Sequence, residues 1–150
     1  MRKSQIKLII FDAYGVSLFG GYPDTCKYLA KKYKRDWKEL YQVMYTKYFN
    51  QAAQRLISQK QAWELAVSEL KLPISTSAVV KIHYGFIRPN MFVLNTARKL
   101  KSDYQILLLS KNTRTQFRDM LRLIPVFHKV FGKEMINTWE YSLPKASRET

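Results

Sequence analysis

Two short apolar runs, set about a hundred residues apart, constrain this chain more than any other feature. IKLIIF spans Ile6 to Phe11 and stops at Asp12, and ILLL spans Ile106 to Leu109 and stops at Ser110. Runs that are apolar at nearly every position and too short for helices are how strands buried in a parallel sheet read. Parallel neighbours cannot be joined by a tight hairpin, so a long crossover must lie between them. The chain supplies one. From Pro23 to about Tyr84 apolar residues recur three and four apart, as in Trp37, Leu40, Tyr41, Met44, Tyr45 and Tyr48, which is helical spacing. Ser58 and Gln61 form a capping box for a helix carrying Ala62, Leu65, Ala66 and Leu70 inward, and Pro73 ends it.

After this helical block, Pro89 and Asn90 open a helix with Phe92, Val93, Ala97 and Leu100 on its apolar side. Thr113 and Gln116 form a second capping box, for a helix turning Phe117, Leu121 and Ile124 inward, and a third short strand is predicted near Glu134 to Ile136. The order strand, helical block, helix, strand, helix, strand predicts an α/β fold. Its core is a Rossmann-like parallel sheet with an all-helical segment inserted after the first strand. The predicted boundaries are 1–20 and 86–150 for the α/β core and 21–85 for the helical insert.

With 150 residues, 47% of them hydrophobic, the chain has enough apolar material for one real core. Cys26 is the single cysteine, so no internal disulfide can form, and it reads as a small buried apolar residue. The first apolar run is too short for a signal peptide, and no run is long enough to span a bilayer. A cytoplasmic protein without membrane attachment is the expectation. The net charge of +15 favours anionic partners. Because the basic residues are spread along the chain, a solvated basic surface is the first reading and a nucleic-acid role is not favoured. The stretch Cys26 to Lys60, with nine basic against two acidic residues, and the row Arg114, Arg118, Arg122 keep that role as an alternative. His83 and His128 lie far apart with no cysteine pair nearby, which excludes a zinc site of ordinary spacing. His83 reads as a helix-surface residue. GVSLFGG lacks the Lys and Ser/Thr of a P-loop, and no G-x-S-x-G elbow is present.

In an open parallel sheet, ligands bind beyond the carboxyl ends of the strands. Asp12 stands at the first such end. Ser110, Lys111 and Asn112 stand at the second, just ahead of a helix N-terminus whose N–H groups favour an anion. Lys145 lies in the loop YSLPKAS beyond the third. A carboxylate can attack phosphorus or an activated carbon, a hydroxyl can hold the anionic group, and a lysine can neutralise growing charge.

These segments carry a family resemblance. IKLIIFDAYGV resembles the first motif of the haloacid dehalogenase (HAD) superfamily, QILLLSKNTR resembles the second, and FHKVFGKEMINTWEYSLPKAS resembles the approach to the third. The helical insert is similar to the cap of the branch that holds small-molecule phosphatases and haloacid dehalogenases. The resemblance implies a phosphatase-type hydrolase acting on a small phosphorylated metabolite or other small anionic substrate through an aspartyl-phosphate. Asp12 would be nucleophile and Mg²⁺ ligand, the Tyr14 carbonyl a second Mg²⁺ ligand, Ser110 the phosphate binder, Lys111 and Asn112 its neighbours in substrate binding, and Lys145 the charge neutraliser.

Two departures qualify what the resemblance implies. Tyr14 stands where such phosphatases carry a second Asp, and a phenol titrating near 10 is a poor proton shuttle at neutral pH. Dehalogenases of the family carry Tyr there, so a metal-independent 2-haloacid dehalogenase-like hydrolase is the alternative, although the arginine-bearing cap motif of those enzymes is missing. The chain also ends at Thr150, ahead of the place of the family's fourth, acidic motif. A C-terminally truncated member is the expectation, with an incomplete sheet, weak Mg²⁺ binding and little or no turnover. A catalytically silent basic module binding nucleic acid or an acidic partner is the third reading.

Overall fold

The structure is a computed structural model, which describes residues 6–141 and 148. Three parallel strands make the central sheet: β1 (Leu8–Asp12), β4 (Gln105–Ser110) and β5 (Met135–Asn137), in the order β1-β4-β5. Each falls where an apolar run predicted it. Leu8 pairs with Gln105 and Asp12 with Leu109, and on the far side of β4 Leu108 pairs with Met135 and Ser110 with Asn137. Two further strands, β2 (Leu18–Phe19) and β3 (Arg88–Pro89), form a small antiparallel ladder where the helical insert leaves the core and returns to it.

The insert contains α1 (Tyr22–Tyr33), α2 (Trp37–Tyr41), a π-helical stretch Gln42–Phe49, α3 (Asn50–Ala53), α4 (Gln59–Glu69) and α5 (Thr76–Phe86). Beyond β3 come α6 (Met91–Leu100), α7 (Arg114–Leu123) between β4 and β5, and α8 (Val126–Phe131). No helix of the described residues is long and apolar enough to cross a membrane.

Two apolar clusters form. One, within the insert, gathers Tyr22, Cys26, Leu29, Leu40, Met44, Phe49, Trp63, Ala66 and Val79; Cys26 is buried in it, as its small apolar side chain predicts. The other joins the sheet to the flanking helices through Ile106, Leu108, Leu94, Met120, Phe127 and Phe131. On β4 the alternate residues Ile106, Leu108 and Ser110 are buried, so the strand's period of two aims Ser110 along the same face as its core residues.

β1 departs from the picture of a strand buried on both faces. It has a sheet partner on one side only among the described residues, and Leu8 and Ile10 remain 42% and 53% exposed. Helix facing also differs in places. α6 buries Leu94 and Ala97 and leaves Phe92 81% exposed, while α4 buries Trp63 and leaves Leu65 at the surface. Apolar residues on adjacent helix faces compete for one core, and spacing alone does not decide between them.

The π-helical stretch is a local feature with a packing consequence. Its hydrogen bonds run to the fifth residue rather than the fourth, a wider turn that brings residues four apart almost above one another. Tyr41, Tyr45 and Phe49 accordingly stack as a ladder, with ring centroids 5.0 and 5.1 Å apart. Tyr22 packs against Tyr45, Phe49, Trp63 and His83 at centroid distances of 4.6–5.3 Å.

His83 is not on the helix surface, as the sequence reading had it, but 1% exposed among these rings. Its Nδ1 lies 3.0 Å from the Thr25 hydroxyl, which itself donates to the Gly21 carbonyl at 2.8 Å. A hydroxyl has one proton to give, so His83 Nδ1–H is the donor to Thr25, and Nε2 is left without a partner among the described residues. Burial pushes the His83 pKa down to about 3. Below an unfolded-state value near 6.5 the unfolded chain takes up a proton that the native state refuses, so the stabilisation present at neutral pH declines as pH falls toward 3. Between pH 7 and 5 this residue is expected to cost about 2 kcal/mol of stability, and His83→Gln to remove that part of the pH dependence. Urea midpoints of both proteins at the two pH values check this, and equal pH slopes would refute it.

Candidate active site

The carboxyl edge of the sheet collects the polar residues that follow the apolar runs. Asp12 ends β1, and on the neighbouring strand Ser110 lies one residue beyond Asp12's register partner Leu109. Adjacent strands run about 4.8 Å apart, so the backbones of the two residues belong to one small region of the edge. Asn137, at the end of β5, pairs with Ser110 from the other side.

The loop after β1 is tightly built. The Ala13 N–H donates to Asp12 Oδ1 at 2.7 Å, which orients the carboxylate. The Ser17 hydroxyl and N–H both donate to the Asp12 carbonyl, at 2.6 and 3.2 Å, and Leu18 N–H donates to the Ala13 carbonyl at 2.9 Å. The resulting turn passes through Gly15 at φ 81°, a conformation glycine adopts without strain.

At the second strand end the residues read from the sequence take different places. Ser110 is buried, and its oxygen accepts the Asn112 side-chain amide at 2.6 Å. A hydroxyl that accepts still holds its own proton, which Ser110 can donate to an anion. Asn112 is also buried; its N–H donates to Asn137 Oδ1 at 2.9 Å, so its side chain orients Ser110. Lys111 is exposed. Lys145 lies outside the described residues.

Thr113 caps α7 by accepting the Gln116 N–H at 3.2 Å, as its capping-box position predicts. The other half of that box is not used. Gln116 turns its side chain inward, where Nε2 donates to the Tyr14 hydroxyl at 3.0 Å. Gln59, the first residue of α4, accepts the Thr113 hydroxyl at 2.7 Å and reaches Gln116 Oε1 at 3.4 Å. A buried chain of hydrogen bonds thus runs from the helical insert through Gln59, Thr113 and Gln116 to the residue two places after Asp12. Enclosure of the Tyr14 hydroxyl pushes its pKa up to about 12, with the Gln116 hydrogen bond offsetting part of the rise.

Two of these participants, Asn137 and Gln59, have no place in the sequence analysis above. Asn137 could have been found by the strand-end rule that marked Asp12 and Ser110; its Nδ2 is buried with no hydrogen-bond partner among the described residues. Gln59 carries no local signal beyond its position at a helix start, and the capping box that marks Gln116 says nothing of where its side chain turns.

The Mg²⁺ set implied by the resemblance, Asp12 with the Tyr14 carbonyl, provides two oxygen donors from one loop. Mg²⁺ takes six in near-octahedral array, several of them water. Among the described residues no group of three or more His, Cys, Asp or Glu could hold a metal ion. These residues alone do not fit the ion.

No family model matches this sequence, and no curated protein matches it. Solved structures match its fold. A HAD family enzyme of Bacteroides thetaiotaomicron gives a TM-score of 0.71 at 17% identity, covering 98% of this chain and 75% of that one. The same enzyme in complex with magnesium and inorganic phosphate gives 0.68 at 16%, covering 96% and 74%. The L-2-haloacid dehalogenase of Xanthobacter autotrophicus, solved with chloropropionic acid covalently bound, gives 0.59 at 14%, covering 93% and 59%. At such identities the likeness is one of fold, and what this chain shares with these enzymes is a parallel Rossmann-like sheet with a helical insert after the first strand.

Proposed function

We propose that this chain is a HAD-like hydrolase in which the Asp12 carboxylate attacks a small phosphorylated substrate. The observation that carries the reading is the register of β1 and β4, which brings Asp12 and Ser110 to one stretch of the sheet's carboxyl edge. The likeness of fold to an enzyme solved with inorganic phosphate supports it. A carboxylate oxygen bonds to phosphorus as the bond to the substrate's alcohol oxygen breaks, and the departing oxygen takes a proton from solvent water. Water then hydrolyses the acyl phosphate, releasing phosphate and restoring the carboxylate. Ser110 donates to a phosphate oxygen, Asn112 holds Ser110 in place, and Lys111 and Lys145 supply positive charge.

A second reading is favoured by Tyr14. A phenol with its pKa at about 12 stays protonated at neutral pH and cannot cycle between acid and base forms. Displacement of a halide from a 2-haloacid by Asp12 asks for no protonated leaving group.

The test measures phosphate release from a panel of small phosphomonoesters and chloride release from L-2-chloropropionate, each with Mg²⁺ and with a chelator. Slow, saturable phosphate release is the expected result. Ser110→Ala is expected to raise KM about tenfold, the scale of one lost hydrogen bond to a charged group. Chloride release in chelator without phosphate release would replace the first reading by the second, and neither product would overturn both.

A further inference from the structure

The outer face of α7 carries a surface that the proposed chemistry does not use. Phe117 and Leu121, one turn apart, floor a cavity of about 460 Å³. Arg114, Arg118 and Arg122 form a row along one side, and His128 of α8 stands among the lining residues. Residues four apart on a helix rise 6 Å, about one turn, so the guanidinium row runs alongside the apolar strip. All three arginines are exposed, while Phe117 and Leu121 are only half-buried.

We propose that this groove docks an acidic, amphipathic peptide segment of a partner protein, with an aliphatic side chain seated on Phe117 and Leu121 and carboxylates on the arginine row. The charge is complementary at two scales. Locally, a guanidinium presents a planar fork that matches a carboxylate. Globally, a chain of net charge +15 draws in an acidic partner. Arginine beside aromatic and aliphatic floor residues is also the composition of interface centres, and a helix laid in an apolar groove is a recurring mode of peptide recognition.

A single-stranded nucleic acid fits less well. Carboxylates already meet the arginine row: Glu140, which lines the groove, accepts from Arg114 at 2.7–3.2 Å, and beside the groove Asp119 meets Arg118 at 3.4 Å. A continuous phosphate backbone would have to pass both, whereas a peptide places its charges at discrete positions and offers Leu121 an aliphatic partner.

The experiment follows the fluorescence anisotropy of a labelled synthetic peptide that carries glutamates and leucines at helical spacing, titrated with the full chain. Specific binding is expected to weaken about tenfold or more in the double variant Arg118→Glu/Arg122→Glu, the scale of about 1.4 kcal/mol. The equally exposed pair Lys31→Glu/Lys38→Glu makes the same charge change away from the groove and is expected to leave affinity within about twofold. Replacing the leucines of the peptide by serine is expected to abolish binding, a readout that does not depend on any variant folding. Absence of peptide binding, equal weakening in the two double variants, full retention by the serine peptide, or displacement by an oligothymidylate would each overturn the proposal.

Discussion

Exchanging Asp12 for asparagine is expected to lower turnover by at least about a thousandfold while leaving stability within about 1 kcal/mol of the parent chain. The first part follows from chemistry. An amide oxygen is a far weaker nucleophile than a carboxylate, and no covalent intermediate can form through it at a useful rate. The second draws on geometry: one hydrogen bond to the side chain runs from Ala13 N–H to Oδ1 at 2.7 Å, and an asparagine oxygen accepts it equally. Steady-state rates on the substrate identified by product release, with urea denaturation of both proteins, make the measurement. Retained turnover would remove Asp12 from the chemistry. Loss of turnover together with several kcal/mol of stability would instead assign it a structural role at the end of β1.

The elements carrying this site were legible for a physical reason. β1, β4 and β5 are short and apolar, and the polar residue ending each run marks where the strand leaves the sheet. That rule alone located Asp12 and Ser110, and the structure puts them on adjacent strands. Ser58 and Gln61 were equally legible, because a capping box is a local contract between residues three apart, and both of its hydrogen bonds form.

Features made by distant segments were not legible. Gln116 was read through its nearest neighbour, Thr113, yet its side chain serves Tyr14, 102 positions away in sequence. Gln59 joins the same network across 54 residues to Thr113. His83 has the periodicity of a helix residue but nothing local to say that Tyr22 and Trp63 close over it. The π-helical stretch is hidden for a related reason: Leu40, Met44 and Tyr48 keep a spacing of four that suits an α-helix and a wider turn alike, and packing of the insert decides. The apolar pattern of Ile6 to Phe11 predicted a strand correctly but overstated its burial, because composition does not say how many partners a strand acquires.

Gly20→Ala is expected to destabilise the protein by about 3 kcal/mol or more, the sum of left-handed strain and a forced backbone displacement. A Cβ built on Gly20 would stand 2.1 Å from the Phe86 carbonyl oxygen and 2.4 Å from its carbon, at a residue whose φ is +89°. Those atoms are backbone, at the end of α5, and cannot rotate aside as a side chain would. They also sit beside the β2–β3 ladder, where Phe19 pairs with Arg88 and the chain passes between the helical insert and the sheet. Gly15→Ala is the control. Its φ is +81°, but nothing among the described residues lies within 4 Å of the added carbon, so the cost there is strain alone, about 1–2 kcal/mol. Denaturation midpoints of the two variants separate the effects. If Gly20→Ala costs no more than Gly15→Ala, then the close approach of the two crossing segments is not what joins the helical insert to the sheet, and the hydrogen bonds through Gln59 and Gln116 must carry that connection instead.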